Sequence, residues 1–132
     1  MKEYYASSNK ALITLLFVLS IGGLSGALPF ILQPDGSLLG MSTSSLSRSP
    51  VDDYFWPGIF LLVVMVMWPL VNLYGITANK SWASMAIVAL GIVTISWIIY
   101  QAYIISAFSP FQPFVLIIGL GLLIGGLRRM SR

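Results

Sequence analysis

Four long apolar runs, none interrupted by Asp, Glu, Lys or Arg, constrain this chain more than any other feature. They extend from about Ala11 to Leu32, Phe55 to Ala78, Trp82 to Ile105 and Phe111 to Leu127. Crossing the hydrocarbon core of a bilayer takes about 20 helical residues, with a working range of about 17–25. Each run fits, the last near the lower limit. Backbone groups in lipid must bond within their own segment or within a closed barrel. A barrel needs short alternating strands, whereas these runs are long and uniformly apolar, so they read as helices. The predicted fold is all-α and polytopic: four transmembrane helices in an antiparallel bundle, one membrane domain over residues 1–132, and one long extracytoplasmic loop over 33–53.

Composition agrees. Of 132 residues, 58% are hydrophobic and only 8% charged, against roughly 25% charged in a soluble domain. A soluble chain this short has no core large enough to hide that much apolar surface. The first run raises the possibility of a cleaved signal peptide, since Lys2 and Lys10 precede it and Ser25-Gly26-Ala27 faintly resembles a cleavage site. The run is longer than an ordinary signal core of about 7–15 residues, and Pro29 and Phe30 continue it, so it reads as a retained helix.

Basic residues set the expected orientation. With the N-terminus in the cytoplasm, Lys2, Lys10, Lys80, Arg128, Arg129 and Arg132 lie inside, and of the 7 basic residues only Arg48 lies outside. Asp35, Asp52 and Asp53 share that outer face. The expectation is therefore a multi-pass protein of the cell membrane with both termini cytoplasmic. Tyr4, Tyr5, Tyr54, Trp56 and Trp82 flank the runs, where aromatic rings favour the headgroup level. Ordinary packing is the competing reading for each.

Asn79-Lys80-Ser81 is a tight turn, and Ala107 to Pro110 is another, with Pro110 placed to start the last helix. Short turns make helices two, three and four an up-down series. The long link opens on Pro34-Asp35-Gly36-Ser37, a β-turn signal. Leu38, Leu39, Met41 and Leu46 follow among serines and a threonine, as suits a segment resting on the membrane surface or the helix ends. Asp52 or Asp53 is placed to cap helix two.

Several chemistries lack their residues. There is no cysteine and no histidine, which removes thiol chemistry and the commonest metal ligand and general base. The net charge of +3 comes from residues at the ends of apolar runs, not from the patch a nucleic-acid binder displays. No charge lies at mid-membrane, where ion-coupled transporters carry one. Small multidrug exporters of this size use an intramembrane glutamate, and Glu3, the one glutamate here, precedes the first helix. No catalytic residue, metal or cofactor is expected.

The polar residues that remain give the candidate sites. Asp35, Arg48, Asp52, Asp53, Gln101 and Gln112, with Gln33, gather toward the outer face. Clustered carboxylates can bind a divalent cation, but loop solvation, helix capping and an Arg48–aspartate pair explain them as well. Gln101 lies one turn after Trp97 and Gln112 on the same side of the membrane. An interhelical hydrogen bond between these amides competes with a substrate contact. Asn72 lies deep in helix two just after Pro69, where a kink is either static or part of a path. Gly22 and Gly26, and Gly121 and Gly125, form GxxxG motifs, which serve either homodimerisation or the seating of helix one on helix four.

The set Leu39-Gly40-Met41, Ser49-Pro50, Asp53-Tyr54 and Pro57-Gly58, with Trp97, Gln101 and Ser109-Pro110-Phe111-Gln112-Pro113, resembles a pattern in a family of small prokaryotic membrane proteins with four helices and a polar outer loop. The likeness covers most of the chain from Gly22 onward. It implies the same architecture and no activity. The expected role is non-enzymatic, accessory or structural, exercised through the outer loop or partner helices; the alternative is a small transporter or lipid-binding or small-molecule-binding protein with a cavity open to the outer face, and a third reading is a membrane enzyme using Asp35, Asp52 and Asp53. Expected partners are membrane lipids and a second copy or another membrane protein, not nucleic acid.

Overall fold

The computed structural model describes residues 2–47, 49–105 and 111–131, the side chains of 2–8, 45, 104, 105 and 111 excepted. The described chain is helical throughout its elements. The α1 helix covers Lys2–Leu32, α2 Phe55–Leu62, α3 Trp68–Thr77, α4 Ala83–Tyr100 and α5 Phe111–Met130. A π-helical turn, Val63–Met67, fuses α2 to α3, and a second one, Gln101–Ile105, extends α4. Among the described residues, four helical stretches are long and apolar enough to cross a membrane: Asn9–Leu32, Phe55–Thr77, Ala83–Tyr103 and Gln112–Met130.

The contacts place consecutive spans side by side. The first packs along the whole of the second, the second on the third through α3 and α4, the third closely on the fourth, and α1 closes the ring against α5. Facing residues run in opposite senses. Gly23 meets Met65 and Gly58 meets Ala27 and Phe30. Gly126 meets Val88 while Gly119 meets Ile95, and Gly125 meets Leu12 while Gly121 meets Leu15. Leu12, Leu16, Leu19, Met65, Ile87, Leu90, Ile118 and Leu122 fill the interior.

Little of each helix faces that interior. Phe17, Ile21, Leu32, Met85, Ile92, Ile117 and Ile124 are all exposed on the outside of the ring. Soluble monomers rarely expose contiguous apolar patches beyond a few hundred Å². A bundle apolar on both its inner and outer faces suits a solvent of hydrocarbon.

At the kink expected from Pro69 the helix carries a π turn. Pro69 has no N–H to give the carbonyl four residues back, which is Met65. The π turn sits just before it, with the Trp68 N–H reaching five back to the Val63 carbonyl. Helix α1 crosses at this point, and a Cβ on Gly23 would lie 2.6 Å from the Met65 carbonyl oxygen.

The turn between α3 and α4 is a Schellman motif. Lys80 N–H bonds the Gly75 carbonyl at 2.9 Å and Asn79 N–H bonds the Ile76 carbonyl at 3.2 Å. Asn79 holds the left-handed conformation at φ 53, which Asn tolerates better than most residues. The Trp82 ring covers Gly75. The expected turn over 107–110 lies outside the described residues.

Candidate functional site

The long loop is built around Tyr54. The turn predicted at Pro34 forms, with Gly36 N–H bonded to the Gln33 carbonyl at 3.1 Å and Gly36 at φ 83. Two short 3-10 turns follow, Ser37–Leu39 and Thr43–Leu46. Tyr54 N–H returns to the Pro34 carbonyl at 2.7 Å, and its hydroxyl donates to the Ser42 carbonyl at 2.9 Å. Its ring stacks on Phe30 at 4.6 Å and 12°. With 1% exposure, Tyr54 is not the headgroup anchor that its flanking position predicts; it joins the loop to the end of α1. Trp56 and Trp82 are exposed, as such anchors are.

The expected acidic cluster resolves into local bonds. Asp35 accepts from Ser37 N–H at 2.9 Å. The Ser37 hydroxyl and backbone N–H together hold its carboxyl below the usual value. That support of the turn is complete above the unfolded pKa and is lost as pH falls through the lowered one. The Ser37 hydroxyl has one proton for both Asp35 and Gln33, and its bond to the Gln33 side chain competes for it. Asp53, one residue ahead of the N-cap Tyr54, accepts from the Phe55 N–H, the first of α2, at 3.0 Å, while Asp52 is exposed. Among the described residues, no three of His, Cys, Asp or Glu group in a way that could hold a metal ion. Arg48, expected beside Asp52 or Asp53, lies outside the described residues. Leu46 is buried, Met41 half-buried, and Leu38 and Leu39 are exposed.

Beneath the loop, Gln112 Nε2 donates to Gln101 Oε1 at 3.3 Å, tying the third span to the fourth. The loop turn Thr43–Leu46 rests on the π turn that carries Gln101. Gln101→Leu should lower thermal stability in detergent by ~0.6 kcal/mol, the average for hydrogen bonds between membrane helices, and by no more than about 1.7. Unchanged melting would separate Gln101 from any clamping role.

A second polar seam runs between the second and third spans. Trp68 Nε1 and Asn72 Nδ2 donate to the Ala86 carbonyl at 3.1 and 3.5 Å, the latter marginal in length. Asn72 is fully buried, and its Oδ1 has no partner among the described residues. Higher up, Trp97 packs between Phe60 and Tyr100, and neither its Nε1 nor the buried Thr94 hydroxyl has a bond among the described residues. A helical threonine ordinarily bonds the carbonyl four residues back, so Thr94 keeps its hydroxyl turned elsewhere.

The two GxxxG motifs differ. Gly121 and Gly125 seat Leu15 and Leu12 of α1, the packing of helix one on helix four that was one of the two expectations. Gly26 meets Leu61 of α2, and Gly22 meets nothing within 4 Å, so the first motif does not face helix four. The closest backbone approaches fall at glycines without that spacing, Gly23, Gly91 and Gly126.

At the opposite end of the bundle, Arg129 draws three spans together. Its Nε donates to Asn9 Oδ1 at 3.1 Å and its Nη1 to Ser84 Oγ at 2.6 Å. In the sequence Arg129 is one orienting charge among several. Its partners lie 120 and 45 residues away, and no local pattern announces them. No family model, no curated protein and no solved structure matches the chain.

Proposed function

We propose that this is a multi-pass protein of the cell membrane with both termini in the cytoplasm, and that it acts without catalysis, as an accessory or structural protein, through its outer loop. The observation that carries this reading is the construction of the loop. Tyr54, Leu46 and the Pro34 turn hold it as a fixed platform on the helix ends, while Leu38 and Leu39 stand exposed on it. Binding residues concentrate on loops that a rigid scaffold positions. Leucines held outward in this way present a contact surface to a second copy of the chain or to another membrane protein. The resemblance to small prokaryotic four-helix proteins belongs to the same proposal.

The chain has no native cysteine, so single thiols test the reading cleanly. Leu39→Cys should react with an impermeant reagent in intact cells, and a short crosslinker attached there should give one discrete adduct. Ser81→Cys should do neither until the membrane is opened; Ser81 is exposed and, unlike Asn79, avoids a positive φ. Labelling at 81 without labelling at 39 would invert the topology. Labelling at 39 with no discrete adduct would remove the loop as the contact surface.

A second reading, a small-molecule or lipid site open to the outer face, draws on one observation. The unbonded Thr94 Oγ1 and Trp97 Nε1 lie one turn apart on α4, below Gln101. Buried polar atoms without partners are uncommon, and a ligand with one donor and one acceptor would satisfy both.

A further inference from the structure

We propose that the end of the bundle opposite the long loop binds the phosphate of an anionic phospholipid at Arg129. The inference rests on the chain crossing a membrane, and begins with the charge of the guanidinium. Arg129 is half-buried, and its two bonds go to an amide oxygen and a hydroxyl. Both partners are neutral, so they orient the cation without neutralising it. A guanidinium has five N–H donors. Among the described residues two are engaged, and the other three keep the fork geometry that matches a phosphate.

Depth selects the ligand. Asn9 opens the first apolar span, Ser84 stands one residue into the third, and Arg129 is next to last in the fourth. Three span ends thus meet at one level, and in a bilayer that level is the headgroup region. The surroundings suit an amphiphile. Lys10 and Arg128, the sequence neighbours of Asn9 and Arg129, are exposed, as is Lys80 in the α3–α4 turn. Met85, Leu127 and Met130, within two residues of Ser84 or Arg129 in sequence, are exposed apolar side chains available to an acyl chain. The three aspartates all belong to the loop at the other end, and Glu3 lies six residues before Asn9, about 9 Å along a helix.

Each basic residue near an anionic membrane surface strengthens association by about fivefold, and a directly bonded one should give at least that. The test uses the full-length protein purified from alkaline-washed membranes, offered phosphatidylglycerol or phosphatidylcholine in mixed micelles, with retained lipid counted by native mass spectrometry. Phosphatidylglycerol should be retained preferentially. Arg129→Gln should lower its retention about fivefold or more and leave phosphatidylcholine unchanged, while Arg128→Gln should keep most of the preference. Should Arg129→Gln fail to fold, the unmodified protein still decides: equal retention of the two lipids overturns the proposal. So does a loss of preference in Arg128→Gln equal to that in Arg129→Gln. Inorganic phosphate displacing phosphatidylglycerol at low millimolar concentration would assign the site to a small soluble anion and overturn the lipid assignment. A chain released from membranes by the alkaline wash would instead overturn the membrane reading itself.

Discussion

Replacing Gly91 by leucine should unfold the bundle or leave it unable to assemble. A Cβ on Gly91 would lie 2.8 Å from the Leu123 backbone nitrogen and 2.9 Å from the Gly119 carbonyl oxygen. These are main-chain atoms of a helix and have no rotamer through which to retreat. Any side chain at 91 therefore drives α4 away from α5 along the most extensive contact in the molecule. Overpacking of a core typically destabilises by about 1–3 kcal/mol when side chains can adjust. Here they cannot, so the loss should reach ~3 kcal/mol or more, a large share of the ~5–15 kcal/mol that holds an ordinary domain. Three comparisons make the result diagnostic. Gly22→Leu should be nearly silent, because nothing lies within 4 Å of its Cβ direction. Gly125→Ala should fall between, because the atom it meets is the end of the Leu12 side chain, which can turn. Gly23→Leu should resemble Gly91→Leu, because it meets the backbone at Met65. Thermal unfolding in detergent, followed by size-exclusion chromatography, ranks the four. Gly22→Leu proving as damaging as Gly91→Leu would mean that the outer face of α1 is covered by something absent from the isolated chain, and that close packing at Gly91 is not decisive.

The ranking also shows how much of the fold can be read from the residues. Length and apolarity alone force four helices, because no other backbone arrangement satisfies so long an apolar segment in lipid. The GxxxG spacing marks a smooth helix face without saying what lies against it. It therefore identified Gly121 and Gly125, which seat α1, together with Gly22, which faces open space. Gly91 stands alone in its span and carries no such mark. Pro69 announced a distortion, and its π-helical form follows only once the Met65 carbonyl and the passing Gly23 are placed together. At the loop, the Pro34 turn and the bond of Asp53 to the first N–H of α2 were legible because both act on backbone within a few residues. Tyr54 was not. A tyrosine ahead of an apolar run looks the same whether its ring faces the headgroups or a phenylalanine 24 residues earlier. Arg129 was hidden for the same reason, its partners being brought to it by the closing of the ring.

The loop platform has its own decisive substitution, Tyr54→Ala. The ring fills the space between Phe30 and the turn at Gly36, where a Cβ on Gly36 would come within 2.9 Å of it. Truncating a buried aromatic side chain typically destabilises by ~3–5 kcal/mol, partly through the cavity it leaves. Tyr54 belongs to the loop end of the core, whereas the bundle's middle is held by Leu16, Leu19, Leu90 and Leu122. The damage should therefore be local, freeing residues 35–50 while the four spans stay assembled, as stability is not uniform across a structure. Tyr54→Phe keeps the ring and its stacking and removes the hydroxyl with its bond to the Ser42 carbonyl, a loss of about 1 kcal/mol for that bond. In proteoliposomes treated from the loop side with a broad-specificity protease, Tyr54→Ala should be cut within the loop many times faster than the unmodified protein, and Tyr54→Phe only slightly faster. Resistance of Tyr54→Ala equal to that of the unmodified protein would show that something other than this ring holds the loop, Leu46 being the next buried candidate. Cleavage of Tyr54→Phe as fast as Tyr54→Ala would move the weight from the ring to its hydroxyl. With the expected order, adduct formation at position 39 in the Tyr54→Ala background separates shape from sequence: the same leucines, no longer held outward, should lose their discrete partner while the protein remains in the membrane.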